Sequence, residues 1–173
     1  MTRMIELEAV ANLRDFGGYP TRCGRGLRAR RFFRSGHQGW ATDADLEALR
    51  ALDIAVIVDL RRADERQRQP CRRWSGFGAE VIESDLPDTY RGWESALPGN
   101  DPTPQFFDDM MMEWYGRAPF GRRITHLFTR YFEAMADHDG GVLIHCAVMR
   151  PLSPRRNVRN GICPRSCSFR HAS

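Results

Sequence analysis

The sequence predicts an α/β fold, a central and mostly parallel sheet flanked by helices, and three observations carry that expectation. Residues 54–60 (Ile54-Ala55-Val56-Ile57-Val58-Asp59-Leu60) form a short, nearly continuous apolar run rich in β-branched residues, as in a strand buried on both faces. Across residues 120–136, Ile124, Leu127, Phe128, Tyr131, Phe132 and Met135 recur at i, i+3, i+4, i+7, i+8 and i+11, the stripe of an amphipathic helix. Asp139-Gly140-Gly141 stops that helix, and Val142-Leu143-Ile144 supplies a second apolar strand. A helix that turns directly into a buried strand is parallel-sheet construction. Ligands gather where such strands end, and Asp59 and Cys146 both stand at strand ends.

The remaining elements follow in chain order. Residues 5–10 alternate as an initial strand, and Asn12 to Pro20 is a tight turn punctuated by Gly17 and Gly18. Cys23-Gly24-Arg25-Gly26 is a hairpin turn that leads into a second strand over residues 27–33. Thr42, with Asp45 three residues on, is a capping-box pattern for a helix whose apolar stripe is Leu46, Leu49 and Leu52. Residues 61–68 are polar and helical, ending before Pro70, and residues 79–82 are a weaker strand. Residues 84–104, with Pro87, Pro98, Gly99, Pro102 and Pro104, read as a loop, followed by a helix over 106–114.

Composition bounds the class. At 173 residues, 42% hydrophobic and 28% charged, the chain is one domain's worth of globular sequence. No apolar run approaches the ~20 residues that span a bilayer, so no membrane span is expected. The first residues lack the apolar core of a secretory signal, and a cytoplasmic location is the expectation. Five scattered cysteines are not a disulfide framework. Cys163-x-x-x-Cys167 with His171 lacks a second ligand pair, so no metal site is expected.

Every one of the 26 basic residues is arginine, and the last acid is Asp139. Six arginines fall in residues 149–173, so this basic tail carries the excess behind the net charge of +4. A basic arm can meet nucleic acid or an anionic surface. In an arginine-only sequence such a tail needs no function, and nucleic-acid binding is not expected.

Cysteine at position 146 invites a specific chemistry. A thiolate at a strand-to-helix turn faces backbone N–H groups that lower its pKa and cradle an oxyanion. A phosphoryl group held there is placed for attack by sulfur, giving a phosphocysteine. His145 can orient the cysteine, or simply be a satisfied strand-end residue. The bland alternative for Cys146 is core packing.

Several segments then agree on a family. Asn12-Leu13-Arg14-Asp15-Phe16-Gly17-Gly18-Tyr19, Phe33-Arg34-Ser35-Gly36, Ile57-Val58-Asp59-Leu60-Arg61 with Glu65-Arg66, and Val142-Leu143-Ile144-His145-Cys146-Ala147 resemble, in matching order, the bacterial and fungal tyrosine/serine protein phosphatases. The resemblance covers roughly residues 7 to 148. It implies a protein-tyrosine-phosphatase-like fold, no cofactor, and phosphotyrosine, phosphoserine or phosphoinositide substrates. It implies Cys146 as nucleophile, and His145, Ala147, Val148 and Arg150 at phosphate-binding positions. Asp59 becomes a candidate general acid, or alternatively a carboxylate capping the next segment. Arg14 with Asp15 is expected to brace a loop, and Arg61 to lean toward phosphate or be solvated.

The resemblance stops inside the catalytic loop. Where the family has Gly-Lys-Asp-Arg-Thr-Gly, this chain has Met149-Arg150-Pro151-Leu152-Ser153-Pro154. The bidentate phosphate clamp of an arginine is replaced by Leu152. Pro151 and Pro154 bring no N–H to an anion cradle. Residues 149–173 lack a helical apolar stripe and are expected to be a non-homologous, disordered tail on a truncated domain of residues 1–148, as a shifted reading frame would produce. Catalysis is then lost or severely impaired. The alternatives are a non-catalytic phosphate-binding module on the same fold and, less well supported by the amino-terminal motif, a rhodanese-like sulfur carrier.

Overall fold

A computed structural model describes residues 3–87 and 103–147. Its elements are β1 (Arg14–Asp15), β2 (Phe32–Gly36), α1 (Asp43–Arg50), β3 (Ile54–Asp59), α2 (Ala63–Arg68), β4 (Glu80–Ile82), α3 (Pro104–Arg117), α4 (Arg122–Asp137) and β5 (Gly141–Cys146). The five strands form one sheet in the order β1-β2-β5-β3-β4. Only β1 runs antiparallel to its neighbour, so the mostly parallel sheet expected from the sequence is present.

Each face of the sheet has its own core. On one side Phe33, Ile54, Ile57 and Leu143 pack with Leu46, Leu49 and Leu52 of α1 and its exit, and with Leu13 and Trp74. On the other, Val56, Val58, Ile82 and Val142 meet Ile124, Leu127, Tyr131 and Ala134 of α4. Ile54 and Ile57 share a face although they stand three positions apart, because the β3–β5 register shifts between Ile54 and Val56. One irregular residue reverses the alternation of everything after it. Gly140 lies at that spot, where an added Cβ would stand 2.7 Å from the Ala55 Cβ.

Two polar devices fix the elements. Thr42 and Asp45 close the expected capping box at the start of α1. The Asp45 carboxylate also accepts from the backbone N–H groups of Glu8, Ala9 and Val10 at 2.7–3.1 Å. At the far end of α4, Arg31 donates to the carbonyl oxygens of Met135, His138 and Gly140, a cation at the negative end of the helix.

Three expectations need correction. Residues 5–10 are not a ladder strand: the Ile5 N–H donates to the Leu13 carbonyl, those of Glu8, Ala9 and Val10 turn to Asp45, and the bridge nearby joins Met4 to Arg14. The second strand runs from Phe32 to Gly36 instead of over residues 27–33. Arg30 has φ 59° with its N–H held by the Asp15 carboxylate, and that turn separates residues 27–29 from the sheet. Arg14 and Asp15 brace the loop separately, not as a pair. Asp15 accepts from the N–H groups of Gly17 and Arg30, and Arg14 donates to Asn12. Among the described residues no helix is long and apolar enough to cross a membrane. The tail, residues 149–173, and most of the proline-rich loop lie outside the described residues.

Candidate active site

Three adjacent parallel strands end together, and their ends build the site. Gly36 of β2 pairs with Cys146, and Asp59 of β3 pairs with His145, so β5 reaches the sheet's carboxyl edge between two neighbours. Beyond β2 the chain makes a short 3-10 turn over Gln38–Trp40, capped by the His37 ring, whose Nδ1 accepts from the Gly39 N–H. Beyond β3, α2 begins after Arg61 and Arg62.

Asp59 and Arg61 form the most completely bonded group here. Both side chains are 2% exposed, and Nη2 of Arg61 lies 2.6 Å from Oδ2 of Asp59. Nε of Arg61 also donates to both carboxylate oxygens, and its backbone N–H donates to Oδ1 at 3.0 Å. Nη1 donates to the Gln69 carbonyl at 2.7 Å and Nη2 to Sγ of Cys71 at 3.0 Å. Arg61 is therefore neither solvated nor extended toward a ligand; all three of its guanidinium nitrogens bond inside the fold. Burial alone would raise the Asp59 pKa, but the bonds from Arg61, with the neighbouring His145, bring it below the ordinary value. The carboxyl group is ionised at neutral pH and caps the segment that follows it.

His145 is fully buried, with Nδ1 3.6 Å from Oδ1 of Asp59. Neither ring nitrogen has a hydrogen-bond partner among the described residues. Leaving a buried polar atom unpaired costs about 1–3 kcal/mol. Burial, helped by the positive charge of Arg61 and Arg73 and outweighing Asp59, lowers its pKa to about 3. The imidazole is neutral.

Cys146 presents surface to solvent. Protein atoms nonetheless crowd its thiol, and that crowding raises its pKa, followed by the carboxylate of Glu65. The Ala147 N–H pulls the other way without prevailing, Asp59 adds to the rise, and Arg123 opposes it. Arg123 itself projects from α4 and donates to the Leu60 carbonyl at 2.9 Å. Ala147 is the last described residue of the loop; Val148 and Arg150 lie outside the described residues.

The structure thus brings Asp59 and His145 together and carries Cys146 to the same edge. It adds residues that sequence reasoning left aside. Gln38 is fully buried between Ser35, Gly36 and Arg73, donating to the first two at 3.3–3.4 Å and accepting from Arg73 at 3.0 Å. Half-buried Cys71 lies against Arg61. A cleft of about 340 Å³ opens beside them, lined in part by Asp59, Arg61, Cys71, Arg73, Glu83 and Asp85. The Ser35-Gly36 and Asp59-x-Arg61 spacings were visible signals for part of this set. Nothing in the local sequence around Cys71 or Arg123 announces them.

Comparison with known proteins gives the family. The sequence profile of the tyrosine phosphatase family matches residues 5–148. A protein of Cupriavidus necator, presumed by its name to be a tyrosine-protein phosphatase, is 30% identical over 152 residues, covering 82% of this chain and 50% of its own. A tyrosine-protein phosphatase of Nostoc commune is 27% identical over 146 residues, covering 75% of this chain and 44% of its own. The chain spans about half the length of these relatives. With a matching profile over most of its length and a cysteine at the end of the central parallel strand, this chain belongs to the tyrosine phosphatase family.

Proposed function

We propose that this chain is a cysteine-dependent phosphatase domain for phosphotyrosine or phosphoserine (or phosphoinositide) monoesters, with turnover lost or severely impaired. The supporting observation is the delivery of Cys146 to the carboxyl edge of the sheet by β5, between the ends of β2 and β3. In the reaction, the Cys146 thiolate attacks phosphorus, an S–P bond forms as the P–O bond to the leaving group breaks, and water then cleaves S–P. Two features argue for impairment. The thiol pKa is raised where a nucleophile needs it lowered, and Leu152 stands where the family's loop has arginine. Loss of one preorganised transition-state donor costs ~10²–10³ in rate, and several are replaced together.

Asp59 enters this proposal as the anchor of Arg61 instead of the acid that protonates the leaving oxygen, because it is ionised and its lone pairs are occupied. Partners are then phosphorylated proteins or phosphoinositides, and no cofactor is needed. The second possibility is a non-catalytic phosphate-binding module, favoured by the same raised thiol pKa. Hydrolysis of a small aryl phosphate decides between them. Slow turnover that vanishes in Cys146→Ser supports the enzyme. Phosphopeptide binding without turnover, unchanged by that substitution, supports the module.

A further inference from the structure

We infer that the arginine-bearing hairpin of residues 18–30 is a docking surface for an anionic lipid bilayer. From Phe16 to Thr42 the chain holds Arg22, Arg25, Arg28, Arg30, Arg31 and Arg34 and no acid. Its 22 acids all lie outside that stretch and outnumber the arginines in the rest of residues 1–148. The chain's general use of arginine therefore does not account for a segment of one sign. Arg31 is spent on the end of α4. Arg22, Arg25, Arg28 and Arg30 are exposed, and their guanidinium groups make no bond or ion pair among the described residues. Asp15, the acid at the hairpin's base, is occupied by the N–H groups of Gly17 and Arg30. Arg3 adds a further cation, standing 3.7 Å from the centre of the Tyr19 ring.

The surface is built before a partner arrives. The N–H groups of Gly18 and Leu27 donate to the carbonyls of Leu27 and Tyr19 at 2.7 and 2.8 Å, and that of Thr21 donates to the Arg25 carbonyl at 2.6 Å. Gly24 turns the tip at φ 78°. A hairpin bonded in this way loses little backbone entropy on docking. Two large apolar side chains stand among the arginines, Tyr19 at 50% and Leu27 at 39% exposure. That mixture selects the partner. Anionic headgroups attract each guanidinium, a gain of about fivefold in partitioning, and the interface beneath them accepts a tyrosine ring and a leucine. A nucleic-acid backbone would use the arginines and gain nothing from Leu27. The hairpin precedes the amino end of β2, while Cys146 closes β5 beside the carboxyl end of β2. Docking therefore holds the chain by the sheet's amino edge and leaves Cys146, at the opposite edge, open to solution. The surface serves as a tether whether or not the chain turns over phosphate.

The test is sedimentation of the full chain with vesicles of phosphatidylcholine, alone or with about one-third phosphatidylglycerol. Binding is expected to the anionic vesicles only, and about 0.5 M salt should release it. Arg22→Gln/Arg25→Gln/Arg28→Gln/Arg30→Gln should lower partitioning by about 10²–10³-fold, and Leu27→Ser by about fivefold. Removing the same charge from the basic tail, with Arg155→Gln/Arg156→Gln/Arg159→Gln/Arg165→Gln, should leave most of the binding in place. Equal melting temperatures of the three variants and the unmodified chain would exclude misfolding as the cause of any loss. Equal binding to neutral vesicles, no binding to anionic ones, or a loss confined to the tail variant would each overturn the assignment. So would tighter binding to a duplex oligonucleotide that Leu27→Ser leaves unchanged. None of these readouts depends on phosphatase activity.

Discussion

At the residue scale, the Asp59–Arg61 pair shows how a conspicuous charge can be structural. Removing one member of a buried pair leaves the other uncompensated, at a cost of about 3–5 kcal/mol, whereas replacing both by apolar groups is far milder. Arg61→Met should therefore lower unfolding free energy by that amount, and Asp59→Leu/Arg61→Met should recover much of it, as read by urea unfolding. Equal losses in the single and double variants would mean that Arg61 matters through Gln69 and Cys71 instead. His145 gives a pH dependence of definite sign. Its folded pKa of about 3 lies below the unfolded value of about 6.5, so the unfolded chain binds the extra proton between them. The contribution is fully present above about pH 6.5 and is lost as pH falls toward about 3, at up to about 1.4 kcal/mol per pH unit. His145→Asn should flatten this part of the stability profile; an unchanged slope would place the titrating group elsewhere.

At the element scale, the capping box of α1 was legible because Thr42 and Asp45 act within one turn. Asp45 does more than the local pattern reveals, since its carboxylate also holds three N–H groups of residues 8–10. Thr42→Ala should thus cost about 1 kcal/mol, the ordinary value of a cap. Asp45→Ala should cost at least about 3 kcal/mol, because it also orphans part-buried donors. Thermal unfolding of the two variants checks the ratio; near-equal losses would mean that the amino-terminal segment finds other partners. The same tertiary bonds explain the misframed strands. A reader of residues 5–10 sees alternation but not the carboxylate 35 or more positions away that claims the amides of residues 8–10. Residues 27–33 look continuous until Asp15 fixes Arg30 at a positive φ. Strands β3 and β5 were readable because their own composition demands burial on both faces. Arg61 was not, because a buried arginine and a solvated one share the same local sequence and differ only in Asp59, Gln69 and Cys71 closing round it.

At the scale of the whole molecule, the sheet, its two cores and the strand ends are in place, and the proposed impairment concerns the loop that follows them. The family match runs to residue 148, one residue past the last described position, and the sequence departs from the family's loop at Met149. The impairment proposed above is therefore tested at the replaced loop, residues 149–154. Leu152→Arg alone should gain little, because an arginine clamps phosphate only when the preceding N–H groups curve round it, and Pro151 and Pro154 contribute none. Catalytic groups that act as a unit are strongly non-additive. Replacing residues 149–154 with Gly-Lys-Asp-Arg-Thr-Gly should raise kcat/KM for an aryl phosphate by about 10² or more, the value of a restored oxyanion contact. The gain should disappear when Cys146→Ser is added. A restored loop that leaves kcat/KM unchanged would overturn the assignment of the impairment to residues 149–154.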